Sequence, residues 1–318
     1  IDIVSIVVGN ALHLEIAAAM IKAGKHVLCE KPLSDTLVSA RKMADLAKEA
    51  SSVVRIGLTY RRQPGVAAIR DWIRDGTLGE VLHFSGRYWC DYGCNPMAPM
   101  SWRYKGPMGS GALADLGSHL TYLSEFLCGE ITAVSGGAFA TTIKERPAPL
   151  GSVVGHGLAA ISDRKETVEN DDYATFTAFF GETRGSLEVS RVAAGYPNGL
   201  DFEVFCENGA ASFHQDTPSQ VRLYLNDDHP GRNGYRTVNL GADHPYVAGG
   251  MPIDVSGVGF GQNEGFTYQA RAFLEEVAEI PEEESLPRNA SFDEGVHNME
   301  ILAAVARSAA DNGKQVNL

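Results

Sequence analysis

The seven residues His26-Val27-Leu28-Cys29-Glu30-Lys31-Pro32 decide how the first part of this 318-residue chain folds. Their apolar middle reads as a short strand. The proline ends it, because proline brings no N–H to a sheet ladder and fixes the backbone around the preceding lysine. Upstream, Ile3-Val4-Ser5-Ile6-Val7-Val8 is a continuous, largely β-branched run, the pattern of a parallel strand covered on both faces. Gly9-Asn10 breaks that run. Leu12, Ile16, Ala19 and Met20 then recur at helical spacing over 11–23, and Gly24 supplies the C-terminal cap. Downstream, Ser34 or Asp35 can cap a helix over 36–50 that turns Leu37, Ala40, Met43, Ala44 and Ala47 inward. A third strand covers 53–58. Strand–helix–strand–helix–strand makes two crossovers and hence an α/β, doubly wound parallel sheet. Ligands of such sheets bind outside the carboxyl ends of the strands, which is where Lys31 falls. The plain alternative is an exposed ion pair between Lys31 and Glu30.

After Tyr60 the pattern changes. A helix is expected over 64–75, with Val66, Ile69, Trp72 and Ile73 on one face, and a strand over 81–88. Residues 89–110 read as a long loop bearing Trp89, Trp102 and Arg103, and structureless loops of that length tend to be functional. A helix over 111–128 follows, then strands near 131–139, 172–180, 184–192, 200–206, 210–214 and 221–225. The polar segment 141–170 reads as a mobile loop. Helices over 264–278 and 291–311 close the chain. Strand runs flanked by helices indicate a second, α+β domain with a large, mostly antiparallel open sheet. The domain division is 1–60 and 61–318.

The totals narrow the function classes. Lys and Arg number 27 against 40 Asp and Glu, a formal charge of −13, which argues against a nucleic-acid backbone or an anionic membrane as partner. No apolar run approaches the roughly 20 residues of a bilayer span. The five cysteines are scattered and odd in number, which fits reduced thiols in the cytoplasm better than a disulfide framework. Cys90 and Cys94 form the single close pair, and no second pair or histidine follows at metal-ligand spacing, so no metal is expected. The chain opens at Ile1 directly in a strand, with no basic leader or cleavage site. It therefore reads as a piece whose beginning lies outside these residues.

One constellation carries chemistry. In Gly109-Ser110-Gly111-Ala112-Leu113-Ala114-Asp115-Leu116-Gly117-Ser118-His119 a glycine-rich turn leads into an apolar helix, and Asp115 and His119 stand four residues apart on one face. A carboxylate beside an imidazole orients the ring and favours its protonated form, as a general base for an alcohol requires. By spacing alone the pair is equally a solvated helix face. The glycines let a ligand approach the helix start, which favours negative charge; they are equally a tight turn.

Asn10-x-x-His13, Ala23-Gly24-Lys25-His26-Val27-Leu28-Cys29-Glu30-Lys31-Pro32, Tyr60-Arg61-Arg62-x-Pro64, Leu78-Gly79-Glu80-Val81 and Gly-x-Gly-x-x-x-Asp115-x-x-x-His119 together resemble the successive motifs of the glucose–fructose oxidoreductase / inositol dehydrogenase / rhizopine-catabolism (Gfo/Idh/MocA) family. Residues 95–104, with Gly234-Tyr235-Arg236-Thr237 and His244-Pro245-Tyr246, resemble bacterial sugar dehydrogenases within it. The resemblance implies a Rossmann domain, a second α/β domain whose open sheet often joins copies into a homo-oligomer, and a dehydrogenase. Its reaction is hydride transfer between NAD or NADP and a hydroxyl-bearing carbon of a sugar, anhydrosugar or polyol. By the same resemblance His119 is the base. Asp115 orients it and contacts substrate, and Lys31 stabilises the developing alkoxide. Val8, Gly9, Asn10, His13, Glu30, Lys31 and Pro32 line the cofactor, joined by Trp102 and Arg103 from the long loop. Tyr60 and Arg103 join Lys31, Asp115 and His119 at the substrate. The chain departs from the family's usual pattern at Val8-Gly9, where Thr-Pro is common, and at Tyr122, where aspartate is common. It also holds no early G-x-G-x-x-G turn. The alternatives are a non-catalytic protein of this fold that senses NAD(P) or sugar, and an NAD-dependent glycosidase.

Overall fold

A computed structural model describes residues 1–153, 155, 159–226, 231, 233–240, 244 and 261–318. Pro245 and Tyr246 of the sugar-dehydrogenase-like stretch lie outside the described residues. The chain forms two compact units, Ile1–Val81 with Phe205–Glu300, and Leu82–Val204 with Ile301–Leu318.

The first unit holds the α/β layer. Strands β1 (Ile3–Ile6), β2 (His26–Glu30) and β3 (Val54–Gly57) form a parallel sheet in the order β1-β2-β3, with Ile6 beside Cys29 and Cys29 beside Ile56. Helices α1 (His13–Lys22) and α2 (Leu37–Lys48) connect them. Gly24 ends α1 at φ 68°, and the N–H of Lys25 reaches back to the Met20 carbonyl at 3.0 Å, a closure that a residue with a Cβ adopts at a cost. Thr36 and Ser39 form a reciprocal capping box at the start of α2. Val27 and Cys29 are fully buried, so the middle of the opening heptad is core. The same unit carries α3 (Pro64–Arg74), a helix α5 (Gln262–Val277) and the antiparallel run β11 (Gly209–His214), β12 (Gln220–Leu225) and β13 (Arg236–Asn239). Ile56 also bridges to Ala290.

Strand β1 is shorter and more open than expected. Val7 is 70% and Val8 42% exposed. Among the described residues β1 is an edge strand of a three-stranded sheet, and nothing there covers its far side.

The second unit is built on a mixed sheet. Its strands are β4 (Val81–Trp89), β5 (Ala133–Ala140), β8 (Tyr173–Phe180), β9 (Thr183–Ser190), β10 (Gly199–Cys206) and β14 (Val316–Asn317), ordered β10-β4-β9-β8-β5-β14. β4 and β9 run parallel; the β9–β8, β8–β5 and β5–β14 pairs are antiparallel. Burial alternates residue by residue along β8 and β10, the period-2 signature of a sheet covered on one face. That cover includes α4 (Ser118–Cys128), which buries Leu120, Leu123 and Leu127. Gly86 of β4 admits the close approach: a Cβ there would lie 2.9 Å from the Leu120 side chain.

The segment 141–170 is not the loop its polarity suggested. It forms a hairpin of β6 (Glu145–Pro149) and β7 (Ile161–Thr167), with Glu145 opposite Thr167 and Pro149 opposite Ile161. Its inward residue is a fully buried arginine, Arg146, whose Nη1 and Nη2 donate to the carbonyls of Asn95 (2.7 Å) and Gly93 (2.6 Å). A charged core residue and two prolines hide the strand pattern. The short strands β13 and β14 were also not anticipated. The last helix, α6, spans Phe292–Ala310.

Candidate active site

In the first unit the candidate residues gather at the carboxyl ends of β1 and β2. His13 opens α1 and is wholly buried. Its Nδ1 faces the carbonyls of Pro32 (3.1 Å) and Leu33 (3.2 Å), and its Nε2 faces that of Val8 (3.1 Å). Carbonyls only accept, so the ring donates from whichever nitrogen carries a proton. His13 is therefore a brace that ties the two strand ends together from behind. The edge itself is Val8, Gly9 and Asn10, with Lys31 and Pro32 beside it. Gly9 has nothing within 4 Å of where a Cβ would stand, so open room lies before that edge. The Lys31–Pro32 peptide is cis. The Lys31 N–H donates to Glu30 Oε2 at 3.1 Å. Burial raises the Glu30 carboxyl above its usual range, and the hydrogen bond and charge of Lys31 oppose that rise. Tyr60 lies deeper. It is 3% exposed, and its hydroxyl accepts from Gln262 Nε2 at 3.1 Å.

In the second unit the helix expected over 111–128 has two parts. A π-helical turn spans Leu113–Gly117 and α4 continues it; wide turns of this kind are frequent at functional sites. Asp115 lies in the π turn and His119 in the first turn of α4. Asp115 Oδ2 accepts from the Tyr92 hydroxyl at 2.8 Å, and Arg103 Nη1 stands 3.9 Å from the same oxygen. The Arg103 guanidinium also lies over the Trp102 ring, 4.6 Å from its centroid, while Trp102 is 60% exposed. The His119 ring packs against Tyr88 at a centroid separation of 6.0 Å. Tyr88 is held in turn by its hydroxyl, which donates to Asn198 Oδ1 at 2.7 Å. The unit thus brings Asp115, His119, Trp102 and Arg103 into one neighbourhood and adds Tyr92 and Tyr88, which the sequence reading had not singled out.

The glycine-rich turn behaves differently from expectation. Its amides do not wait for a ligand anion. Asp171, fully buried, accepts from the N–H groups of Gly109 (2.8 Å) and Gly111 (2.9 Å) on Oδ1 and of Leu113 (2.8 Å) on Oδ2. Its backbone carbonyl takes the Ala112 N–H at 2.9 Å. One residue therefore satisfies four amides at a helix start that would otherwise lack partners, and its charge meets the positive end of the dipole. Gly111 is required by this embrace: a Cβ there would lie 2.1 Å from the Asp171 carbonyl oxygen.

The residues on either side of Asp171 extend the clamp. Arg191, also buried, donates to Asp172 Oδ1, Asn170 Oδ1 and the Arg103 carbonyl, each at 2.8 Å. Asn170 Nδ2 donates to the carbonyls of Arg103 and Lys105, both at 3.1 Å. The run Asn170-Asp171-Asp172 thus fixes the loop that carries Arg103 and the helix start that carries Asp115. Three consecutive short polar residues before an apolar strand are the signal that could have marked it. Among the described residues, no group of three His, Cys, Asp or Glu side chains is arranged to hold a metal ion, and no helix is long and apolar enough to cross a membrane.

Residues 1–58 match the family profile described as oxidoreductase family, NAD-binding Rossmann fold. Residues 66–212 match the GFO/IDH/MocA C-terminal domain. Levoglucosan dehydrogenase of Pseudarthrobacter phenanthrenivorans is 34% identical over 313 residues, which is 98% of this chain and 78% of that protein. A solved apo form of levoglucosan dehydrogenase is similar at TM-score 0.89 and 33% identity, covering 100% of this chain and 80% of the other. A levoglucosan dehydrogenase structure in complex with NADH and levoglucosan is similar at TM-score 0.86 and 32% identity, with the same coverage.

Proposed function

We propose, from the premise that this chain belongs to the GFO/IDH/MocA family of oxidoreductases, that it is an NAD-dependent dehydrogenase acting on a hydroxyl-bearing carbon of an anhydrosugar, sugar or polyol. The observation that carries this reading is the start of the π turn and α4. There the helix amides are occupied by Asp171, and the side chains that bring acid–base chemistry to this stretch are Asp115, whose Oδ2 accepts from Tyr92, and His119. A carboxylate and an imidazole offered together suit proton abstraction from an alcohol.

The residues of the first unit fit the cofactor. Gly9, with open room where a Cβ would stand, suits the close approach of a flat ring to the ends of β1 and β2. Val8, Gly9, Asn10, Lys31 and Pro32 would hold it, with His13 bracing them from behind. When bound, the nicotinamide supplies the acceptor for the hydride that leaves the carbon. His119 takes the hydroxyl proton. Asp115 keeps the ring oriented and favours its protonated form. Lys31 donates to the hydroxyl oxygen and stabilises the charge that develops on it. Levoglucosan heads the substrate list, since a relative aligned over 98% of this chain is named for it.

The test is a panel of anhydrosugars, aldoses and inositols assayed with NAD for the wild type, Lys31→Ala and His119→Ala. Each substitution is expected to lower kcat by about 10²–10⁴-fold with little change in Tm. Wild-type turnover in both variants overturns the assignment. Turnover of a glycoside without net change in nicotinamide absorbance points to the glycosidase instead.

A further inference from the structure

We propose that Tyr92 is a positioning residue for the acid–base pair: its phenol holds Asp115 in the orientation from which that carboxylate can align His119. The catalytic meaning of this rests on the dehydrogenase reading; the contact itself does not.

The Tyr92 hydroxyl donates to Asp115 Oδ2 at 2.8 Å, a length typical of a direct O–H to carboxylate bond. Arg103 approaches the same oxygen only to 3.9 Å, and both partners of that pair are partly exposed, at 22% and 29%. Its pull is therefore weaker and less directional. The phenol is delivered by a rigid backbone. Just before it, the Cys90 N–H donates to the Ser190 carbonyl at 2.7 Å. Just after it, the Gly93 N–H donates to the Arg191 carbonyl at 2.7 Å. The Gly93 carbonyl accepts from Arg146, and a Cβ at Gly93 would lie 2.6 Å from the Arg191 carbonyl oxygen. A tyrosine pinned on both sides has little freedom to follow a wandering carboxylate, so the carboxylate follows the tyrosine. Tyr92 also lines a cavity of about 20 Å³ with Pro99, Ser101, Arg103 and Tyr104. That is room for about one water.

The charged and titratable groups around the phenol include Asp115 in the π turn, Arg191 after β9 and Cys90 just after β4, with Arg103 and Tyr104 lining the same small cavity. Asp115 is faced in addition by Arg103 from the loop, with His119 one turn further on. Burial first, and the charge of Asp115 second, push the phenol well above its ordinary value. Tyr92 thus keeps its proton across the working range and acts on Asp115 only as a donor. A donor to the charged form favours that form, so removing it raises the pKa of Asp115.

Tyr92→Phe deletes the hydroxyl and little else. In the assays of the full chain, kcat is expected to fall about 10-fold with a smaller change in KM, while Tm stays within a few degrees. The acid limb of the pH profile moves up by about one unit. In an Asp115→Asn background, adding Tyr92→Phe changes kcat less than about 2-fold, because the contact is already altered. Carboxyl-carbon NMR of Asp115, assigned with Asp115→Asn, gives a readout independent of turnover: its titration shifts up by about one unit in Tyr92→Phe. An unmoved titration with wild-type kcat overturns the proposal. A shifted titration in a chain that oxidises no sugar upholds the positioning contact and overturns the dehydrogenase reading alone.

Discussion

Replacing Asp171 should loosen the second unit and the candidate site together. Its carboxylate receives three backbone N–H groups at 2.8–2.9 Å, and the residue is fully buried. Asp171→Ala removes both acceptor oxygens and with them all three bonds. A buried donor left without a partner costs about 1–3 kcal/mol, and losing a capping side chain alone costs about 0.5–2 kcal/mol. Losing the charge at the helix start adds about 1 kcal/mol. The three penalties overlap, and water can enter the space vacated, so the expected total is about 4 kcal/mol rather than their sum. Asp171→Asn keeps the shape and one acceptor oxygen but turns an NH₂ toward an amide donor; its expected cost is about 2–3 kcal/mol. At about 2–4 °C per kcal/mol for a protein of this size, the alanine variant should melt roughly 8–16 °C lower. Thermal unfolding followed by calorimetry measures this, and paired assays report kcat. Because Asp115 lies two residues beyond the last amide that Asp171 holds, kcat should fall well below the loss explained by unfolded protein. A Tm within about 2 °C of wild type for Asp171→Ala would refute the argument that these bonds hold the helix start.

Other consequences are open to equally direct checks. Arg191→Met leaves Asp172 buried without its cation and should cost about 3–5 kcal/mol; urea unfolding that shows no loss removes the clamp from the account. Burial lifts the Glu30 carboxyl above its ordinary 4.5, so its contribution is complete below the unfolded value and is lost as pH rises through the folded one. Glu30→Gln should therefore gain on the wild type in stability from acidic to neutral pH, and a gap that stays constant contradicts this. Burial raises the thiols of Cys29 and Cys206 to about 12 and about 11, whereas Cys94 and Cys128 are only half-buried. A thiol reagent near neutral pH should label the latter two first and reach Cys29 and Cys206 on unfolding; rapid labelling of Cys29 in the folded chain would count against its burial.

The features legible in the sequence were those with a simple period or a hard stop. Pro32, Gly24 and the apolar runs around them located three parallel strands and two helices within a residue or two. The strand-like runs 172–180 and 200–206 matched β8 and β10. The features that escaped depend on partners distant in the chain. Arg146 looks like a surface residue until its guanidinium is seen to hold the carbonyls of Gly93 and Asn95. Asp171 looks like part of a polar loop until it closes on Gly109, Gly111 and Leu113, about 60 positions earlier. Asp115 with His119, and Lys31 by its proline, stand out in the sequence by their chemistry; the residues that support them do not. Tyr92, Arg191 and the Asn170-Asp171-Asp172 run act through geometry that no local spacing encodes.

The central claim is that His119 is the base of a nicotinamide-dependent sugar oxidation. The most direct test follows NADH formation with levoglucosan and the wider sugar panel, comparing wild type with His119→Ala at matched folded concentration. NADH affinity is measured alongside by fluorescence. The account predicts NADH formation by the wild type, a rate lower by at least about 100-fold in the variant, and unchanged NADH affinity. A variant that oxidises the sugar as fast as the wild type would contradict it.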